Sequence, residues 1–187
     1  MDAIRAASLA ACAVALSVTA ACGTSSGLPS ASLENFVDTV SLYALDGTPL
    51  PAPSGYSLQS NLVLRTDRFT SFDFAFNITP AGQAVLLPTG ALGLGRSSGI
   101  KVQPTGFDAV TVAPTNAYVD TTAVPIDSGT VAVLHSRAST CSIGIVVFYY
   151  GKIQVLAIDT VARRIDLQVL VDQNCGYRGL EPGIPRR

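Results

Sequence analysis

VVFYYGKIQVLAIDTVARRIDLQVLVDQNC, residues 146–175, is the stretch on which the fold turns. Ile165, Leu167, Val169 and Val171 stand on one side of its second half, with Asp166, Gln168 and Asp172 on the other. A period of two puts one set on the core face of a strand and the other toward solvent. The same spacing recurs upstream, where Phe72, Phe74, Phe76 and Ile78 alternate with Asp73, Ala75 and Asn77. Turn signals separate such runs: Asp46-Gly47, Ser54-Gly55, Pro80-Ala81-Gly82, Pro88-Thr89-Gly90, Ser98-Gly99, Pro104-Thr105-Gly106 and Asp127-Ser128-Gly129.

Short strands with regular punctuation indicate an all-β chain. We expect an antiparallel β-sandwich, immunoglobulin-like, of about nine strands. The strands are placed at 39–45, 57–66, 69–78, 83–87, 99–103, 107–112, 129–137, 146–159 and 164–172. Leu33, Phe36, Val37 and Val40 have helical spacing and place one helical turn before the first strand.

The N-terminus reads differently. Met1 to Arg5 holds the α-amino group, Asp2 and Arg5, and Ala6 to Ala21 carries no charge. Sixteen residues at ~1.5 Å rise span roughly 24 Å, short of a ~30 Å hydrocarbon core. A cleaved signal helix over residues 1–21 therefore fits better than a permanent span. Thr19-Ala20-Ala21-Cys22 resembles the lipobox of bacterial lipoproteins, with Thr19 where leucine is usual. The resemblance implies cleavage before Cys22, lipidation of Cys22 and a membrane anchor at the new N-terminus. Gly23 at the following position implies the outer membrane, on its periplasmic or its surface face. Residues 22–32 then form the lipidated cysteine and a Gly/Ser-rich flexible tether, and 33–187 a single domain. Gly23-Thr24-Ser25-Ser26-Gly27 fits the nucleophile-elbow pattern, but it lacks the preceding strand and following helix that the elbow requires.

Cys22 to Arg187 is 166 residues, enough for one domain that buries roughly 70% of its unfolded surface. Without Asp2 and Arg5 the chain keeps 11 basic and 12 acidic residues, with no clustered cations. Capture of nucleic acid needs such clusters, so no nucleic-acid partner is expected.

Export places the chain in an oxidising compartment. Cys12 leaves with the signal and Cys22 takes lipid, so Cys141 and Cys175 are expected to form a disulfide. The bond chooses between two layouts. In a meander with a hairpin at Tyr150 to Lys152, the cysteines fall at opposite ends of eight-residue strands, roughly 25 Å apart. A disulfide needs Cα atoms within about 7 Å. Running 146–159 as one strand through Gly151, with a bulge there and a turn at 160–163, brings both cysteines to one end. The second layout is preferred.

Chemical signatures are sparse. His135 is the single histidine, with Val131 and Val133 on its face of a strand; the sequence names no nucleophile or acid beside it. Gly90, Gly93, Gly95 and Gly99 lack the G-K-[ST] or βαβ context of a phosphate site. The acids are dispersed, and no calcium loop is present. One histidine and two available cysteines are too few for the usual zinc sets. We expect no cofactor, no metal and no enzymatic activity. Distinctive residues concentrate at Asp172, Asn174, Tyr177 and Arg178, a candidate binding loop at one end of the sandwich. The expected function is a membrane-anchored binding or envelope-structural module, with an envelope protein or glycan as partner. The alternatives are a hydrolase of envelope polymers and a carrier of a small apolar ligand.

Overall fold

A computed structural model describes residues 28–141 and 144–185. The expected signal helix and Cys22 lie outside the described residues. The strands are β1 (Val37–Tyr43), β2 (Gly55–Ser57), β3 (Leu62–Leu64), β4 (Phe74–Ile78), β5 (Ala84–Pro88), β6 (Gly99–Gln103), β7 (Val124–Pro125), β8 (Val131–His135), β9 (Ser139–Thr140), β10 (Val146–Val147), β11 (Tyr150–Asp159) and β12 (Arg164–Asp172). One five-stranded sheet has the order β1-β12-β11-β8-β6, and the other β3-β2-β4-β5-β7. β9 and β10 form a separate two-stranded ribbon. The pairings are antiparallel, and the two sheets pack face to face as a β-sandwich.

Alternation builds the space between the sheets. Ile165, Leu167, Val169 and Val171 of β12 meet Phe74, Phe76 and Ile78 of β4, joined by Leu134, Ile153, Val155 and Leu86. Each such side chain contributes roughly 1.5–3 kcal/mol on burial, the main term opposing chain entropy. A second, smaller core covers the outer face of the first sheet. Val131, Val133 and Leu170 point into it, against Phe107, Val110, Ala113 and Leu180. The first sheet is thus buried on both faces over part of its area.

That cover corrects one expected strand. Residues 107–112 are not a strand: Phe107–Ala109 is a 3-10 turn. A tight turn brings Phe107 and Val110 to the same side, three residues apart, and both face the sheet. The expected strand 57–66 breaks into β2 and β3 at a turn in which Asn61 has φ 53° and accepts a hydrogen bond from the Tyr56 hydroxyl. The helical turn expected at Leu33 to Val40 is absent. Asn35 instead forms a bridge with Gly183, and β1 begins at Val37.

Tyr150 to Lys152 lies inside β11, in register with Asp172 to Leu170 on one side and His135 to Val133 on the other. It is no hairpin tip. The bulge falls between Val155 and Ala157, not at Gly151, and the expected strand 146–159 is interrupted at Phe148 and Tyr149. Gly151 is closely packed: a Cβ there would stand 2.8 Å from Leu58 Cδ2 and 3.1 Å from the Leu170 carbonyl oxygen, so Leu58 would have to shift to admit one. Cys141 and Cys175 are disulfide-bonded, with Cα atoms 6.0 Å apart.

Candidate functional site

The candidate loop follows β12, at the end of the sandwich that carries the disulfide. Asp172 is fully buried, and its Oδ1 accepts from both the backbone N–H and the Nδ2 of Asn174, each at 2.9 Å. Those bonds fix the Asn174 amide. Its Oδ1 accepts from the backbone N–H groups of Ser32 and Leu33, both at 2.9 Å, and its Nδ2 donates to the Leu33 carbonyl at 2.8 Å. The Tyr177 hydroxyl accepts from Ala31 N–H and donates to the Pro29 carbonyl, both at 3.0 Å. Asn35 Nδ2 donates to the carbonyls of Gly179 and Glu181.

These residues therefore grip the chain's own N-terminal segment. Asn174 and Tyr177 act directly, Asp172 acts by orienting Asn174, and Arg178 turns away to donate to the Ala113 carbonyl. Leu28 passes beside Gly176, where a Cβ would come within 3.3 Å of it and 3.1 Å of Val147. Leu28 to Ser32 was expected to be flexible tether, and that reading does not hold for these residues. Gly/Ser-rich composition leaves a backbone free only where nothing bonds it. We expect Asn174→Ala to raise the hydrogen-exchange rates of the Ser32 and Leu33 amides about 10- to 100-fold, since both lose their acceptor. Exchange at the β12 amides serves as the reference and should stay unchanged.

The neighbouring outer face holds a buried cation. Lys152, on β11, donates to the carbonyls of Phe107 (2.8 Å) and Val110 (3.0 Å) and lies 4.3 Å from the Phe107 ring centroid. Burial pushes its ammonium below the usual lysine value, while Asp108 and Glu181 pull the other way. Burial likewise raises the Asp172 carboxyl, against the two Asn174 bonds that lower it. Both arrangements hold backbone: Lys152 secures the Phe107 turn, and Asp172 secures the Asn174 clamp.

His135 sits between Tyr118 and Phe148, with ring centroids 4.6 and 5.2 Å away in edge-on geometry, and its Nδ1 donates to the Ser136 carbonyl. Those contacts supply neither a nucleophile nor an orienting acid. In the glycine-rich stretch, Gly90 is needed because a Cβ would run into the Asp120 carbonyl oxygen.

Surface clefts among the described residues include two at different places on the sandwich. One, of about 440 Å³, lies at the end opposite the disulfide, between Asp46, Thr79, Thr160 and Arg163. Arg163 already donates there to the carbonyls of Asp46 and Ile78. The other, of about 350 Å³, lies between Thr111, Val112, Glu181 and Pro182. Each cleft is lined by a single carboxylate, whereas glycoside hydrolysis uses a pair. Among the described residues, no three His, Cys, Asp or Glu side chains gather as metal ligands do. No protein-family model matches the chain, and no curated protein matches it in sequence.

The sequence singled out the loop but not its occupant. Asn174 lies more than 140 residues from Ser32 and Leu33 along the chain, and local spacing carries no signal for such a partner.

Proposed function

We propose that this chain is an exported bacterial lipoprotein, held by lipid at Cys22 in the cell envelope, with the outer membrane as its destination. Its β-sandwich serves there as a non-enzymatic binding or structural module. An envelope protein or glycan is its partner class. Support comes from the Thr19-Ala20-Ala21-Cys22 stretch together with one structural observation: the segment just downstream of Cys22 is bonded to the disulfide end of the sandwich through Asn174 and Tyr177. A fixed exit point holds a folded module in one orientation at the surface that anchors it. A lipid anchor gains ~0.8 kcal/mol per buried CH₂, so several acyl chains hold such a module firmly.

Intact-mass measurement of the membrane-extracted chain tests the reading. The expected species begins at Cys22 and carries a diacylglycerol-sized addition. A chain that begins near Cys22 without acylation removes the anchor but keeps secretion. An unmodified chain that still begins at Met1 removes both.

A further inference from the structure

We infer that the disulfide end of the sandwich is a lipid-facing surface that settles into the interfacial layer of a zwitterionic phospholipid membrane. The inference rests on the lipid anchor proposed above and adds a second, non-covalent contact with the same membrane.

Topology fixes which residues share this end. Val37 pairs with Leu170 and Tyr43 with Arg164, while Tyr150 pairs with Asp172 and Asp159 with Arg164. The start of β1, the start of β11 and the exit of β12 therefore lie together. The eight steps along β12 to the 160–163 turn span roughly 27 Å. The β9–β10 ribbon joins the near end through Cys141–Cys175. The β2–β3 turn joins it where Gln173 Nε2 donates to the Gln59 carbonyl.

Exposed apolar side chains collect at that end. Leu33 and Phe36 precede β1, Leu62 follows the β2–β3 turn, and Ile145, Val146 and Phe148 belong to the ribbon and its exit. Their exposure runs from 38% at Ile145 to 65% at Val146. An apolar group of this kind marks an interaction surface.

The chain's own length says what covers it. The described chain begins at this end, with Leu28 beside Gly176. Six residue steps separate Leu28 from Cys22, and at ~3.6 Å per residue they reach at most roughly 22 Å. A lipid on Cys22 thus keeps this end, and not the Arg163 end, next to the bilayer. Glu34 and Asp38 are exposed at the border of the apolar group, which favours a zwitterionic surface over an anionic one.

The chain has no tryptophan, so one introduced tryptophan reports its own surroundings. Val146→Trp and, at the far end, Val161→Trp are made in the full-length lipidated protein. Each is reconstituted into phosphatidylcholine vesicles with acyl-brominated lipid as quencher. Val146→Trp emission should fall at least twofold and shift to the blue, while Val161→Trp stays unquenched. Phe148→Trp gives the same readout if Val146→Trp fails to fold. Absent or equal quenching at the two ends, with acylation of Cys22 confirmed by mass, overturns this inference and leaves the anchor standing. So does shielding of Val146→Trp in a detergent-solubilised dimer without quenching by bromolipid, which assigns the face to a second copy. A chain without lipid overturns both.

Discussion

Replacing both Cys141 and Cys175 with alanine is expected to destabilise the domain by roughly 4 kcal/mol in the chain-entropy model, because the bond closes a loop across a sequence separation of 34. Against a typical total of ~5–15 kcal/mol the loss is large. For a domain of this size it lowers Tm by about 8–16 °C. Reduction of the wild-type protein should give the same shift. The local consequence is as informative. Cys175 lies between Asn174, which clamps Ser32 and Leu33, and Gly176, over which Leu28 passes. Loss of the bond frees the β9–β10 ribbon from β12, so amides at 30–33, 139–141 and 144–147 should exchange faster than those of β11. A Tm change below ~2 °C would mean that the bond does not constrain the unfolded chain.

The disulfide also marks how far the sequence could be read. Its pairing follows from cysteine count and an expected export, and it selects the layout in which Tyr150 to Lys152 stays extended; the structure has that layout. Period-two alternation gave β12 and, of the expected strand 69–78, only its second half as β4, since 69–73 is not a strand; both strands have one face on the inter-sheet core. The same rule misled at 107–112, where Phe-Asp-Ala-Val-Thr-Val imitates a strand but folds as a cover. A clue to that cover was present. Val131-Ala132-Val133-Leu134 is apolar without alternation, as strands buried on both faces are. Lys152 hid the cover from view, since a lysine in a strand reads as an outward, solvated position. The bulge at Leu156 left no pattern, because Val155, Leu156 and Ala157 are all apolar while the register shifts among them. The clamp on the N-terminal segment depends on non-local partners and was legible only as an unusual cluster of side chains.

Asp73 is a similar case, with a larger energetic consequence. Alternation set it on the polar side of 72–78, yet it is buried. It immediately precedes β4 of one sheet. Its Oδ2 accepts from the Leu58 N–H at 2.7 Å, and its Oδ1 accepts from the N–H and Nε of Arg137, at 2.9 and 3.3 Å. Leu58 follows β2 of the same sheet, whereas Arg137 follows β8 of the other. One carboxylate thus bridges the two layers. Asp73→Ala leaves two backbone donors without acceptors and should cost about 3–4 kcal/mol. Asp73→Asn keeps one acceptor oxygen but turns an amide NH₂ toward the other donor, so about half that loss is expected. The two variants therefore separate loss of one acceptor oxygen together with the charge from loss of both oxygens. Burial raises the Asp73 carboxyl above its usual 3.8, against the opposing pull of its hydrogen bonds and the Arg137 guanidinium. A raised folded value means that the native state holds its proton more tightly than the unfolded chain does. The contribution is then fullest below pH 3.8 and declines as pH rises through the folded value. Asp73→Asn has no such proton, so its deficit relative to wild type should be larger at pH 4 than at pH 7. Urea titrations of both proteins at the two values measure that difference. An equal or larger deficit at pH 7 would mean that the Leu58 and Arg137 donors outweigh burial, and that the ionised carboxylate is the form the fold prefers.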